Sequence, residues 1–296
     1  MIAVDWGTSN FRAFRLDEAG TIVDRRSFPT GILRVPAGGF AETLVAQVGE
    51  WISAGERRIL LCGMVGSRQG WVEAGYVACP VGIDDLASRV TRVPFAEAEV
   101  ILIPGVSGED VHSVPEVMRG EETEVMGMVA VHGKESLVCL PGTHSKWVHL
   151  RGHVLVNFST CMTGDVFDAL QQFTILAHTI EQDSGKLNDD NRDFLRGVAR
   201  SRDSGGLLHH LFGVRTLTLT GDLKQEASAS YLSGLLIGHE VRSMISPGAH
   251  VHLVGAISLC RLYAQAIVAC GGFFTLEDED AAARGLASIG KKLQWT

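Results

Sequence analysis

Several features are missing from this 296-residue chain, and each absence removes a class of function. No apolar run reaches 18 residues, so no segment is expected to cross a membrane. The six cysteines, at positions 62, 79, 139, 161, 260 and 270, form no C-x-x-C pair and no closely spaced framework. Most lie in apolar stretches, where cysteine behaves as a small core residue, and they suit a reduced, cytoplasmic setting. The eleven histidines contain no H-E-x-x-H and no tight cluster with cysteine, which speaks against zinc. G-x-G is absent altogether, so the dinucleotide fingerprint is excluded. "GLASIGKK", residues 285–292, misses the P-loop pattern because Lys292 replaces the hydroxyl residue, and it ends a helix instead of following a strand. No run of five or six like charges occurs, and a net charge of −8 argues against nucleic acid as a partner. Asp5 interrupts the apolar start at once, so no signal peptide is expected.

What is present is globular: 46% hydrophobic and 20% charged residues, in a length that allows two domains. "IAVDW", "FRAFRLD" and "TIVDRRSF" predict a three-strand meander, followed by a helix over 40–53 and strands at 58–65 and 99–106. The aperiodic stretch 106–120 is the expected linker, dividing an N-terminal domain, 1–106, from a C-terminal one, 107–296. After it come a helix from 121 to 132, a second meander over "SLVCLPG", "SKWVHLRG" and "HVLVNFST", and a helix over "GDVFDALQQF". A polar stretch at 183–216 is expected to be helical in part. A long helix over 223–245, a strand at "HVHLVGAI" running into another helix, and a last helix near 279–292 complete the pattern. The meander-then-helix order therefore occurs twice, as an internal duplication at domain scale.

Each meander carries a Gly-Thr turn between its first two strands: Gly7, Thr8, Ser9 in the first, and Gly142, Thr143, His144 in the second, with Lys146 just beyond. Such turns direct backbone N–H groups and hydroxyls into a small space, and glycine allows close approach, which suits phosphate oxygens. Asp5 precedes only the first turn and suits a hydrated magnesium ion, which takes one or two carboxylates with water and phosphate oxygens. Ordinary hairpin turns explain either alone; the pair in the same strand context favours phosphate. "LVGAIS", with Gly255 and Ala256, is a strand-to-helix turn of small residues suited to a flat adenine, or simply to close helix packing.

These turns resemble the phosphate motifs of the actin-like ATPase superfamily of sugar kinases. "CGMVGSRQGWVEAGYVACP", "MRGEETEVMG", "LPGTHSKWV" and "CMTGDVFDAL" further resemble the 2-dehydro-3-deoxygalactonokinase family, over nearly the whole chain. The resemblance implies an α/β fold of two ribonuclease-H-like domains facing across a nucleotide cleft. It implies ATP and Mg2+ as cofactors and phosphorylation of 2-keto-3-deoxygalactonate at its terminal hydroxyl. The partners it implies are small molecules, with no nucleic acid and no membrane, and it leaves a homo-oligomer open. Rival readings are a related kinase of another sugar acid or polyol, and a non-catalytic nucleotide-dependent sensor.

Glu121 resembles the general base of the G-D-Q-Q stretch in related kinases, with Glu122 as an alternative base or a magnesium contact; helix-dipole stabilisation explains both equally well. Asp165 is a second alternative base, although Thr163 as N-cap with Asp165 in the first turn needs only capping chemistry. Ser67, Arg68, Gln69, Trp71 and Tyr76 form the loop that resembles the acceptor-binding N-Q-R-E-T stretch. Arg68 is the candidate fork for a carboxylate, and Asn10 and Arg12 are further substrate candidates. Arg12 equally fits an outward strand position, and Lys146 a solvated hairpin position.

Overall fold

A computed structural model describes residues 1–110, 112–128, 135–180 and 192–295. The central strands are apolar on both faces, as parallel strands covered by helices must be. β1 (Ile2–Trp6), β2 (Phe11–Leu16) and β3 (Ile22–Phe28) form the expected antiparallel meander. α1 (Phe40–Ser53) buries Phe40, Leu44, Val48, Trp51 and Ile52 along one face. β4 (Arg58–Cys62) then returns parallel to β1. The strand expected to reach residue 65 gives way to a 3-10 turn at Met64–Gly66. The sequence pattern missed three short elements: β5 (Tyr76–Ala78), α2 (Ile83–Ser88) and β6 (Thr91–Val93). β7 (Glu99–Leu102) completes a six-stranded sheet of order β3-β2-β1-β4-β7-β6.

The expected linker is a hairpin. β8 (Gly105–Glu109) and β9 (Pro115–Met118) pair antiparallel, with β5 on the other side of β8, and form a three-stranded sheet. Short strands broken by Gly108 and Pro115 carry too little periodicity to be seen locally. α3 (Glu121–Met126) follows and is shorter than expected; residues 129–132 of that expected helix lie outside the described residues.

β10 (Ser136–Leu140), β11 (Ser145–Arg151) and β12 (Val154–Cys161) form the second meander. α4 (Thr163–Phe173), α5 (Arg192–Arg200), α6 (Gly206–Thr220) and α7 (Ser228–Met244) lead to β13 (His250–Leu253), which pairs parallel to β10. Of the expected partly helical stretch, residues 183–191 lie outside the described residues. α8 (Ile257–Ala269), β14 (Phe273–Leu276) and α9 (Ala281–Gly290) end the chain, β14 having been missed. This sheet runs β12-β11-β10-β13-β14, so in both sheets the first meander strand is internal and the strand after the crossover lies parallel beside it. That shared order is the ribonuclease-H-like duplication. Among the described residues no helix is long and apolar enough to cross a membrane.

The residues fall into two units, but not at a single cut after residue 106. Unit 1 comprises Met1–Ser136, Val148–Ser159 and Glu277–Thr296; unit 2 comprises Leu137–Trp147 and Thr160–Leu276. The chain end joins unit 1 because α9 packs on α3 and on β1. That packing is close at Gly285, where a Cβ would meet the Thr123 carbonyl oxygen at 1.8 Å. Gly285→Ala is expected to destabilise the protein by more than about 2 kcal/mol through backbone separation, read as a lowered midpoint in urea unfolding.

Candidate active site

In unit 1 the first turn follows β1. Gly7 N–H donates to the Asn10 carbonyl at 2.9 Å, and Thr8, Ser9 and Asn10 are exposed. A neighbouring segment supports it: Gly31, Ile32 and Leu33 donate to the carbonyls of Ser9, Gly7 and Thr8. Gly31 is required there, since a Cβ would lie 2.3 Å from Ser9 N.

Asp5, on β1, is largely buried and is clamped by Arg12 across the β1–β2 pairing. Arg12 Nε donates to Asp5 Oδ2 at 2.9 Å, and Nη2 donates both to that oxygen and to Glu124 Oε1, the latter at 2.8 Å. Arg12 is therefore neither an outward strand residue nor an unpaired cation. Its partner Glu124, on α3, carried no signal in the sequence. Burial pushes the Glu124 carboxyl up to about 7 despite the opposing charge of Arg12.

The two acidic candidates on α3 differ sharply. Glu121 is part-exposed, and its Oε2 accepts from Arg119 N at 3.0 Å. Glu122 is fully buried; its Oε2 accepts from Gly120 N at 2.7 Å, while Oε1 has no hydrogen-bond partner among the described residues. Burial, reinforced by the charge of Glu121, raises the Glu122 carboxyl from 4.5 to about 8.

The loop after β4, expected to bind the acceptor, is mixed. Arg68 is 87% exposed and pairs with Glu73 at 3.1 Å, and Gln69 is also exposed. Trp71 packs into the unit 1 core, stacked on Phe40 and edge-on to Phe95, so its bulk serves the fold. Ser67 Oγ is buried, and Tyr76 is exposed with its ring over the Arg119 guanidinium.

In unit 2 the second turn leads into β11. Thr143 and His144 are exposed, and His144 Nε2 lies 3.6 Å from Asp165 Oδ2, which brings these two candidates together. Lys146 is not solvated: it is 5% exposed and donates to the His144 carbonyl at 3.1 Å. The N-cap of α4 is Met162 and not Thr163, which is already helical; Asp165 does sit in the first turn. Gly164 allows the turn and helix to meet, because a Cβ would lie 2.7 Å from both Gly142 O and Thr143 Cα. Gly255, at φ +126°, abuts the Pro141 carbonyl, and Ala256 caps α8.

A cavity of about 390 Å³ opens at Gly142 and Thr143 and runs between α4, α7 and α8, with Phe167, Leu236 and Leu262 among its mainly apolar lining. Such a concavity beside backbone donors fits an anion attached to a flat apolar group. Beneath it lies a buried carboxylate that sequence reading missed, Glu240 on α7. Trp147 Nε1 donates to its Oε1 at 2.7 Å and the Tyr263 hydroxyl to its Oε2 at 2.6 Å. Thr163 and Ser145 hydroxyls also hydrogen-bond it, and burial raises its pKa against these four donors. Glu240 thus ties β11, α4 and α8 around the second turn. Its only sequence trace was one acid inside an apolar helix.

Among the described residues no cluster of three or more His, Cys, Asp or Glu could hold a metal. Asp5 Oδ1, left by Arg12, still fits the single protein contact of a hydrated magnesium ion.

Two measurements test these environments. The native state holds a proton on Glu122 that the unfolded chain releases, so stability falls as pH rises from about 4.5 through about 8. Glu122→Gln should flatten that part of the pH dependence of the thermal midpoint. Glu240→Gln sets an amide donor among donors and should cost about 2 kcal/mol in urea unfolding.

Residues 5–289 match the family model described as 2-keto-3-deoxy-galactonokinase. The chain is 35% identical over 298 residues to a protein of Rhizobium meliloti strain 1021 named as a 2-dehydro-3-deoxygalactonokinase, covering 99% of this chain and 97% of that one. It is 33% identical to the 2-dehydro-3-deoxygalactonokinase of Escherichia coli K12, covering 97% and 96%. A solved structure described as a 2-dehydro-3-deoxygalactonokinase from Sinorhizobium meliloti superposes with a TM-score of 0.87 at 36% identity, over 98% and 95% of the two chains. At 12% identity, the activator of 2-hydroxyisocaproyl-CoA dehydratase from Clostridium difficile, solved with bound ADPNP, gives 0.52 over 99% and 95%, a likeness of fold alone. With a match spanning nearly the whole sequence and relatives aligned over almost their full lengths, the chain belongs to the 2-keto-3-deoxy-galactonokinase family, ATP-dependent sugar-acid kinases of the actin-like ATPase fold.

Proposed function

We propose that this protein transfers the γ-phosphoryl group of ATP to the terminal 6-hydroxyl of 2-dehydro-3-deoxy-D-galactonate, in the cytoplasm, as a step of galactonate breakdown. The observation that carries this reading is the family match over residues 5–289, whose relatives at 33–35% identity are named for that kinase.

Phosphoryl transfer asks the protein for positioning and for stabilisation of spread negative charge. In this reading Gly7, Thr8 and Ser9, and Gly142, Thr143, His144 and Lys146, hold the phosphates of ATP. The unit 2 cavity, with Gly255 and Ala256 at its neighbouring turn, takes the adenosine. Asp5 Oδ1 would hold magnesium through water, an ion that would supply positive charge against the phosphates. Asn10, Ser67, Arg68, Gln69 and Tyr76 are assigned to the acceptor.

Glu121 is assigned as the base. A base must be reachable and ionised, and Glu121 is part-exposed. Glu122 is sealed and, with its pKa near 8, already protonated at neutral pH, so it has no lone charge to receive the hydroxyl proton. Asp165 is half exposed beside His144 at the second turn, which suits a phosphate-side position better than an acceptor-side one.

The test is coupled ADP release with Mg-ATP and 2-dehydro-3-deoxygalactonate, its gluconate epimer, glycerol or no acceptor. Turnover with the galactonate compound alone is expected; turnover with another acceptor replaces the substrate, and turnover needing none discards the kinase reading. Glu121→Gln is expected to lower kcat by about 100-fold or more with KM for ATP unchanged. A large kcat loss in Asp165→Asn instead would move the base to unit 2.

A further inference from the structure

A sugar acid brings a carboxylate, and neither arginine marked out in the sequence offers it a buried, unpaired charge. Arg12 is held between Asp5 and Glu124, and Arg68 stands in solvent beside Glu73. A third arginine lies under the same acceptor loop. Arg119, just after β9, is 8% exposed. Its Nη2 donates to the Ala74 carbonyl at 2.7 Å and reaches that of Gly75 at 3.4 Å. Its guanidinium carbon lies 4.4 Å from the centre of the Tyr76 ring. Nη1 lies close under Gly66, where a Cβ would come within 3.1 Å of it. Nε and Nη1 are buried and have no hydrogen-bond partner among the described residues.

Carbonyl oxygens and a ring face solvate this guanidinium, and the Glu121 carboxylate meets the Arg119 backbone N–H. Glu122, which feels its charge, is largely protonated at neutral pH. A buried charge acts over a longer distance than a solvated one, since little water screens it.

We propose that Arg119 is a specificity-determining residue: its buried charge sets a positive potential at the Gly66–Tyr76 loop, so that the site takes an anionic sugar acid in preference to its neutral counterpart. It acts through the loop, because Nε and Nη1 are sealed beneath it. The same guanidinium shapes that loop by holding the Ala74 carbonyl and the Tyr76 ring. The inference rests on the acceptor being a sugar acid, as proposed above.

The test compares kcat/KM for the sugar acid and for its carboxamide, both measured on the same preparations of wild type, Arg119→Gln and Arg119→Lys. A ratio between two acceptors is independent of the folded fraction. Arg119→Gln is expected to lower the acid-over-amide preference on the order of tenfold, through KM for the acid, with KM for ATP unchanged. Arg119→Lys keeps the charge and should hold the preference within about threefold. An undiminished preference in Arg119→Gln overturns the proposal, as does an equal loss in both variants, which would mean shape alone. Should Arg119→Gln not fold, Arg119→Lys decides: loss of the preference there refutes the role of charge, and its retention supports it. Wild type inactive on the sugar acid would refute the acceptor assignment instead, a result visible before any variant is compared.

Discussion

A carboxylate removed from water must be given donors or a counter-ion, or be kept protonated, and each unit is arranged around that demand. Unit 1 uses all three answers within a few residues. Asp5 and Glu124 share Arg12, and Glu122 accepts from the Gly120 N–H and is held protonated by burial. Unit 2 gives its buried acid, Glu240, four donors from three elements. Because those donors sit on β11, α4 and α8, satisfying one carboxylate also fixes the walls around the second turn.

The duplicated sheet order explains why the two turns occupy equivalent places. In each, the first meander strand is internal, flanked by its hairpin partner and by a parallel strand from the crossover. The hairpin turn must then leave the sheet at the end of that strand. Both turns are approached by other backbone, at Gly31 in unit 1 and at Gly164 in unit 2, where a side chain would collide. The family resemblance lies in the turns, but their shape depends on glycines distant in sequence.

Elements whose signal is local were legible. The helix over 40–53 matches α1 because its apolar residues recur at helical spacing, and all six meander strands emerged from alternation and turn residues. The stretch at 106–120 failed because its strands are four or five residues long and gain their hydrogen bonds from each other and from β5. The single cut between domains failed for a related reason: α9 returns from the end of the chain to pack on α3, a partner about 160 residues earlier.

For the site, sequence by itself determined which residue types stand at each turn, where the acidic helix begins, and which family the chain joins, since these are properties of contiguous blocks. Tertiary structure decided which charges remain available. Arg12 and Arg68 look alike in the sequence, yet one is bound between two carboxylates and the other stands in solvent. Glu121 and Glu122 are neighbours, yet only one is reachable. Charge, pKa and access depend on what surrounds a side chain in space, and those surroundings come from β1, β4, β9 and α3 converging, which no window of sequence contains.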